Sequence, residues 1–191
     1  MSLLSLVDDT LTDKNTRHSY LELYETLLCN KKETAKNVLE VGIHKGGSIK
    51  LWKDYFTQAT VRGIELYGDE FFIDEVRSTN RIVLYTHTNA YDEGFFASEF
   101  VNKGVKFDFM LDDGPHTLES QMRFIALYSQ VMADDGILMV EDVQDWSWID
   151  HLKSQVPENL KQYIQVYDLR ANKDRYDDIV FVINKSKAKM D

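Results

Sequence analysis

Two short stretches concentrate the residues able to do chemistry. In FDFMLDDGPHTLESQ, residues 107–121, Asp112, Asp113 and His116 fall close together after an apolar run. In VEDVQD, residues 140–145, Glu141 and Asp142 follow another. Carboxylates crowded at one point repel unless a cation neutralises them. Hard oxygen donors without cysteine favour Mg2+ or Mn2+, with Ca2+ possible, over Zn2+. Asp113, Glu141 and Asp142 are therefore the expected metal ligands. His116 stands three residues past Asp113, and an imidazole titrating near neutrality suits a general base. The plainer reading makes DDGP a turn, with Thr117 capping the helix that follows. Turn and cap are compatible with the metal site.

A third stretch is VLEVGIHKGGSIKLW, residues 38–52, with glycines at 42, 46 and 47. It matches neither the dinucleotide fingerprint nor a phosphate loop. Glu40 would repel a pyrophosphate and suits a ligand carrying a positive amino group. Glu65, at the end of the next apolar run, is placed to take ribose hydroxyls. An adenosyl ligand with a cationic amino-acid tail, S-adenosylmethionine, meets both conditions. The alternative is a tight strand–helix turn with no ligand.

The elements that must position these residues alternate. NVLEV (37–41), TVRGIEL (60–66), RIVLYTH (81–87), KFDFMLDD (106–113) and DGILMVED (135–142) read as strands. Helical patterns fall at 19–30, 46–56, 68–79, 93–102 and 117–132. Continuous apolar strands separated by helices predict a mostly parallel, doubly wound α/β sheet, Rossmann-like. QYIQVYDLR and DDIVFVIN predict an antiparallel pair closing the sheet edge, and the tail KSKAKMD is expected to fray. One domain suffices: residues 36–191, preceded by an N-terminal helical cap segment over 1–35. In such sheets ligands bind at the carboxyl ends of the strands, where the glycines and most of these acids lie.

Composition narrows the classes. The chain has 191 residues, 43% of them hydrophobic, with only two prolines and nine glycines, which fits a globular core. Against 22 basic residues stand 32 acidic ones, a net charge of −10. That balance disfavours nucleic acid and anionic membrane surfaces as partners. Cys29 stands alone, so no internal disulfide is implied. MSLLSLVDDT has neither the basic region nor the apolar run of a signal peptide, and no apolar run is long enough to span a bilayer. A soluble, cytoplasmic protein, monomeric or a small homo-oligomer, is expected.

Taken together, E-V-G-x-x-x-G-G-S, the acid at Glu65, D-D-G-x-H and the later E-D resemble the class I S-adenosylmethionine-dependent methyltransferases. More narrowly they resemble the metal-dependent sugar O-methyltransferases of macrolide biosynthesis, the mycinamicin and macrocin type. T-D-K-N-T-R-H-S-Y, residues 12–20, followed by Tyr24–Glu25, is similar to a segment preceding the domain in that group. The resemblance covers about residues 12–145. It implies Asp113, Glu141 and Asp142 as metal ligands and His116 as base. It implies Glu40, Gly42, Gly46, Ser48, Glu65, Asn89, Ala90 and Asp112 on the cofactor side, and a sugar or glycan acceptor. Pro115 departs from the small polar residue common in that turn. Lys14, His18 and Tyr20 read equally as a flap over the cofactor or as an exposed helix start. Trp146 and Trp148 read as a sugar-stacking surface or as packing. The competing functions are methylation of a catechol-like diol and a nucleotide-binding oxidoreductase or hydroxylase.

Overall fold

The computed structural model describes residues 1–186. Seven strands form one sheet: β1 (Asn37–Val41), β2 (Thr60–Ile64), β3 (Ile82–Tyr85), β4 (Phe107–Asp112), β5 (Met132–Val140), β6 (Ile164–Asp168) and β7 (Ile179–Asn184). Their spatial order is β3-β2-β1-β4-β5-β7-β6. β1 to β5 run parallel, and β7 is antiparallel to both β5 and β6. The helices are α1 (Leu3–Leu6), α2 (Leu21–Leu28), α3 (Gly47–Tyr55), α4 (Asp74–Arg77), α5 (Glu93–Phe96), α6 (Leu118–Tyr128), α7 (Trp148–Gln155) and α8 (Arg170–Lys173).

Strand alternation sorts the apolar side chains onto two faces. Val38, Phe109, Leu111, Ile137 and Met139 face α2 and α3, around Trp52 and Tyr24. Leu39, Val41, Met110, Leu138 and Val140 face α6 and α7, around Phe124 and Tyr128. Both faces are covered, so apolar residues stand at consecutive positions in the central strands.

Strand order reverses between β1 and β4, the switch point at which such folds bind ligands. Val41 pairs with Asp112, and Asp112 with Val140. Gly42, Asp113 and Glu141 therefore leave the sheet at one level.

Three expectations need adjustment. The helix expected over 68–79 is reduced to α4 (Asp74–Arg77). The Ile73 N–H is drawn to the Lys45 carbonyl, which holds Ile73 extended and delays the helix start. α7, with Ile149 and Leu152 buried, lies in a stretch to which the sequence patterns assign no helix. Lys14, His18 and Tyr20 do not form an exposed helix start: they are 1%, 5% and 0% exposed. Most of the tail expected to fray, 187–191, lies outside the described residues.

Candidate active site

The glycine loop is shaped first by the protein itself. Gly42 has φ +77°, and a side chain there would place its Cβ 2.0 Å from the Asp113 carbonyl oxygen. Only glycine lets the β1 loop and the Asp113–Gly114 turn touch. A Cβ on Gly47 would meet the Leu11 carbonyl oxygen at 2.2 Å, so the N-terminal segment passes over the start of α3. Gly46, at φ +89°, abuts Val76.

Glu65 ties two loops together. One oxygen accepts the N–H groups of Ile43 and His44 at 3.1 and 3.0 Å, the other those of Leu66 and Tyr67 at 2.9 and 3.3 Å. Four backbone donors fix this carboxylate at the mouth of the β1–β2 crevice. Asn89 accepts the Tyr91 N–H at 3.0 Å, and the Ala90 carbonyl accepts the Tyr128 hydroxyl at 2.8 Å. The Tyr91 hydroxyl donates to Asp112 at 2.7 Å. Burial nevertheless pushes the Asp112 carboxyl up to about 7, the Tyr91 bond opposing it.

Asp113, His116 and Asp142 come together. His116 Nε2 lies 3.7 Å from Asp113 Oδ1 and 3.6 Å from Asp142 Oδ2. One donor atom from each of the three falls within 4.8 Å of the others. Two carboxylate oxygens and an imidazole nitrogen at that spacing fit a hard divalent ion, or one carboxylate-held ion with the imidazole beside it. Thr117, one residue on, caps α6: its side chain accepts the Ser120 N–H, and Ser120 returns the bond to the Thr117 N–H.

Glu141 sits on the other side of Asp113, apart from that trio. Its carboxylate accepts from the Lys14 ammonium and the Tyr24 hydroxyl. Lys14 also donates to Asp113 Oδ2 at 2.6 Å and stands 3.4 Å from Glu40 Oε1. Glu40 is fully buried, with its other oxygen accepting the Trp52 indole N–H at 3.0 Å. It belongs to the floor of the site and not to an open crevice. Burial pushes Glu40 and Glu141 up to about 7, with Lys14 opposing the shift in both. Burial pulls Lys14 down, yet Asp113, Glu141 and Glu40 outweigh it and hold the ammonium well above an ordinary lysine. Asp113 is likewise raised by burial and lowered by Lys14.

A second buried set underlies Asp142. The Tyr20 hydroxyl donates to Asp142 Oδ1, and His18 Nδ1 stands 3.4 Å from the same oxygen. His18 Nδ1 is 2.6 Å from Asp178 Oδ1, and Ser19 donates to Oδ2 through its N–H and hydroxyl. Reading the sequence missed Lys14, His18, Tyr20 and Tyr24 as the framework beneath the acids. The available signal was their spacing in the 12–25 segment, together with the surplus of acids at strand ends.

Beyond Asp142 the surface is aromatic. Trp146 is 48% exposed and Tyr176 62%. Tyr176 donates to Gln144 at 2.8 Å, and the Arg170 guanidinium lies 5.8 Å from the Trp146 ring centre. A shallow cavity of about 560 Å³ lined by Asp168, Arg170, Asp174, Arg175 and Tyr176 adjoins it. Trp148, by contrast, packs against the core around α7.

No family model matches the chain. It is 26% identical over 133 residues to the 8-demethyl-8-(2-methoxy-alpha-L-rhamnosyl)-tetracenomycin-C 3'-O-methyltransferase of Streptomyces olivaceus, covering 66% of this chain and 32% of that protein. It is 25% identical over 140 residues to the mycinamicin VI 2''-O-methyltransferase of Micromonospora griseorubida, covering 69% and 33%. The chain thus spans about a third of the length of these curated relatives, which are sugar O-methyltransferases. Among solved structures, the MycE methyltransferase of the mycinamycin biosynthetic pathway, in complex with Mg and SAH, superposes with a TM-score of 0.74 at 18% identity. That match covers 96% of this chain and 54% of MycE. The fold is the α/β methyltransferase fold seen in MycE.

Proposed function

We propose that the chain carries out S-adenosylmethionine-dependent, divalent-metal-dependent O-methylation of a hydroxyl on a sugar or glycan. The convergence of Asp113, His116 and Asp142 at the switch point of the sheet carries this reading. The sugar substrates named for its curated relatives support the acceptor class.

When bound, S-adenosylmethionine supplies an electrophilic methyl group, and Mg2+ or Mn2+ supplies a Lewis acid that lowers the pKa of a coordinated hydroxyl. Asp113 and Asp142 would hold the ion. Gly42, Gly46, Ser48, Asn89, Ala90 and Asp112 line the cofactor side, with Glu65 placed for the ribose. Glu40 acts from below, through Lys14 and Trp52. His116 receives the hydroxyl proton at Nε2, which lies 3.6 Å from Asp142 Oδ2. Most of the rate enhancement comes from holding two substrates in line. Exposed Trp146 and Tyr176 offer rings on which the apolar face of a sugar stacks.

Calorimetric titration with S-adenosylhomocysteine, with and without Mg2+, followed by an acceptor screen of deoxysugar nucleotides and glycosides, tests this. Saturable binding and methyl transfer to a sugar hydroxyl are expected. Binding of NAD in preference to S-adenosylhomocysteine would overturn the reading.

A further inference from the structure

We propose that Gln121 is a positioning residue. Its buried side-chain amide holds the two peptide planes on either side of Asp142, and so keeps the left-handed backbone that aims the Asp142 carboxylate. The inference rests on the reading that a divalent ion is held beside Asp113 and Asp142.

Gln121 lies one turn into α6 and is 1% exposed. Its Nε2 donates to the Glu141 carbonyl at 3.0 Å and to the Asp142 carbonyl at 3.3 Å. The sheet ladder ends at Val140, and among the described residues no backbone N–H reaches either carbonyl. Gln144 Nε2 approaches the Asp142 carbonyl at 3.4 Å, so Gln121 is the donor common to both. The Glu141 carbonyl belongs to the peptide plane before the Asp142 α-carbon, and the Asp142 carbonyl to the plane after it. Holding both planes holds φ and ψ of that one residue. In a strand, successive carbonyls point to opposite sides, and one amide nitrogen cannot take both. Left-handed backbone, φ 54° at Asp142, turns them the same way. The clamp fits the strained conformation and not the extended one that would continue β5.

The amide oxygen points to the same role. Gln121 Oε1 is buried without a hydrogen-bond partner. An unpaired buried acceptor makes glutamine a poor choice for packing alone, whereas its donor end is fully matched. Turning the amide over would set its oxygen against two carbonyl oxygens, so its orientation is fixed. α6 also carries the base. It begins directly after Thr117, the neighbour of His116, and the Gln121 N–H donates to the Thr117 carbonyl at 3.0 Å. One helical turn thus links His116 to the backbone of Asp142 and sets the 3.6 Å between Nε2 and Oδ2.

Calorimetric titration of the chelator-treated full chain with Mn2+, and in parallel with S-adenosylhomocysteine, tests this on Gln121→Met and Phe124→Leu. Methionine fills the same space without a donor. Phe124→Leu loosens the same helix three residues on, where the ring stacks on Tyr128. Gln121→Met is expected to weaken Mn2+ binding by about 10–100-fold and to leave the thioether affinity unchanged. Phe124→Leu is expected to lower the melting temperature and keep both affinities. In a crystal structure of metal-free Gln121→Met, Asp142 should leave left-handed backbone and its carboxylate should move away from His116. Wild-type Mn2+ affinity in Gln121→Met, or an equal loss in Phe124→Leu, overturns the inference. If Gln121→Met does not fold, Gln121→Asn, whose amide is one methylene short of the two carbonyls, gives the same readings. Wild type that binds no Mn2+ overturns the proposed metal-dependent function. The Asp142 backbone in Gln121→Met then decides the clamp alone, and φ still near 54° overturns it.

Discussion

His116 and Asp142 face each other across 3.6 Å, and both hold left-handed backbone, at φ 52° and 54°. Such a conformation costs a non-glycine residue on the order of 1–3 kcal/mol where the surroundings enforce it. Two adjoining loops from β4 and β5 thus each carry strain at the residue that enters the site. The strain aims the imidazole and the carboxylate toward one point above the sheet.

His116→Gly therefore separates function from stability. Glycine adopts φ above zero freely, so the melting temperature should hold or rise. Turnover should fall by about 10²–10⁴-fold, the usual contribution of a general base, with S-adenosylhomocysteine affinity retained. Thermal melting and single-turnover assays on the same preparation check both. Undiminished turnover would remove His116 from the proton transfer.

Gly42→Ala should be among the most damaging small substitutions in the chain. The added methyl meets the backbone of Asp113 and Gly114, and φ +77° strains any side chain. A loss of more than about 2 kcal/mol is expected, lowering the melting temperature by on the order of 5 °C. Because the displaced atoms belong to the Asp113 turn, divalent-ion affinity should fall as well. Wild-type stability in this variant would mean that the β1 loop and the Asp113 turn are not in contact.

The pH dependence has a definite sign. Asp112, Glu40 and Glu141 have folded-state pKa values raised to about 7 by burial, above those of the unfolded chain. Between about pH 4.5 and 7 the native state then binds more protons than the unfolded state, so stability falls as pH rises. In chelator-treated protein the melting temperature should decline across that window, and Asp112→Asn should flatten the decline. Mg2+ should reduce it further by favouring the ionised acids around it. A melting temperature that climbs steadily from pH 5 to 7 without metal would contradict these shifts.

Thr117→Ala tests the turn that carries His116. Loss of the reciprocal cap with Ser120 should cost about 1 kcal/mol, seen in urea denaturation as a lower midpoint with unchanged slope.

Much of this was legible in the chain. The runs at 37–41 and 107–112 carry apolar residues at consecutive positions, as a strand covered on both faces does, and the structure places β1 and β4 there. Glycines and acids directly after such runs must lie at the ligand-binding edge, as Gly42, Asp113 and Asp142 do. What stayed hidden depends on contacts distant in sequence. Lys14 reads as part of a flap over the cofactor or of an exposed helix start, and its burial is decided by acids 26, 99 and 127 positions away. Glu141 and Asp142 are neighbours with identical local signals. Their side chains diverge because one meets Tyr24 and Lys14, and the other His116. α4 was overestimated because apolar periodicity through Phe72 and Val76 says nothing of the bond that holds Ile73 extended.

The most direct measurement is paired calorimetry of Mg2+ and S-adenosylhomocysteine on wild type and Asp142→Ala. Wild type should bind one equivalent of each, and the variant should lose Mg2+ while keeping the nucleoside thioether. Mg2+ binding that survives Asp142→Ala unchanged, or no binding of the thioether by wild type, would contradict a shared pocket for metal, base and cofactor.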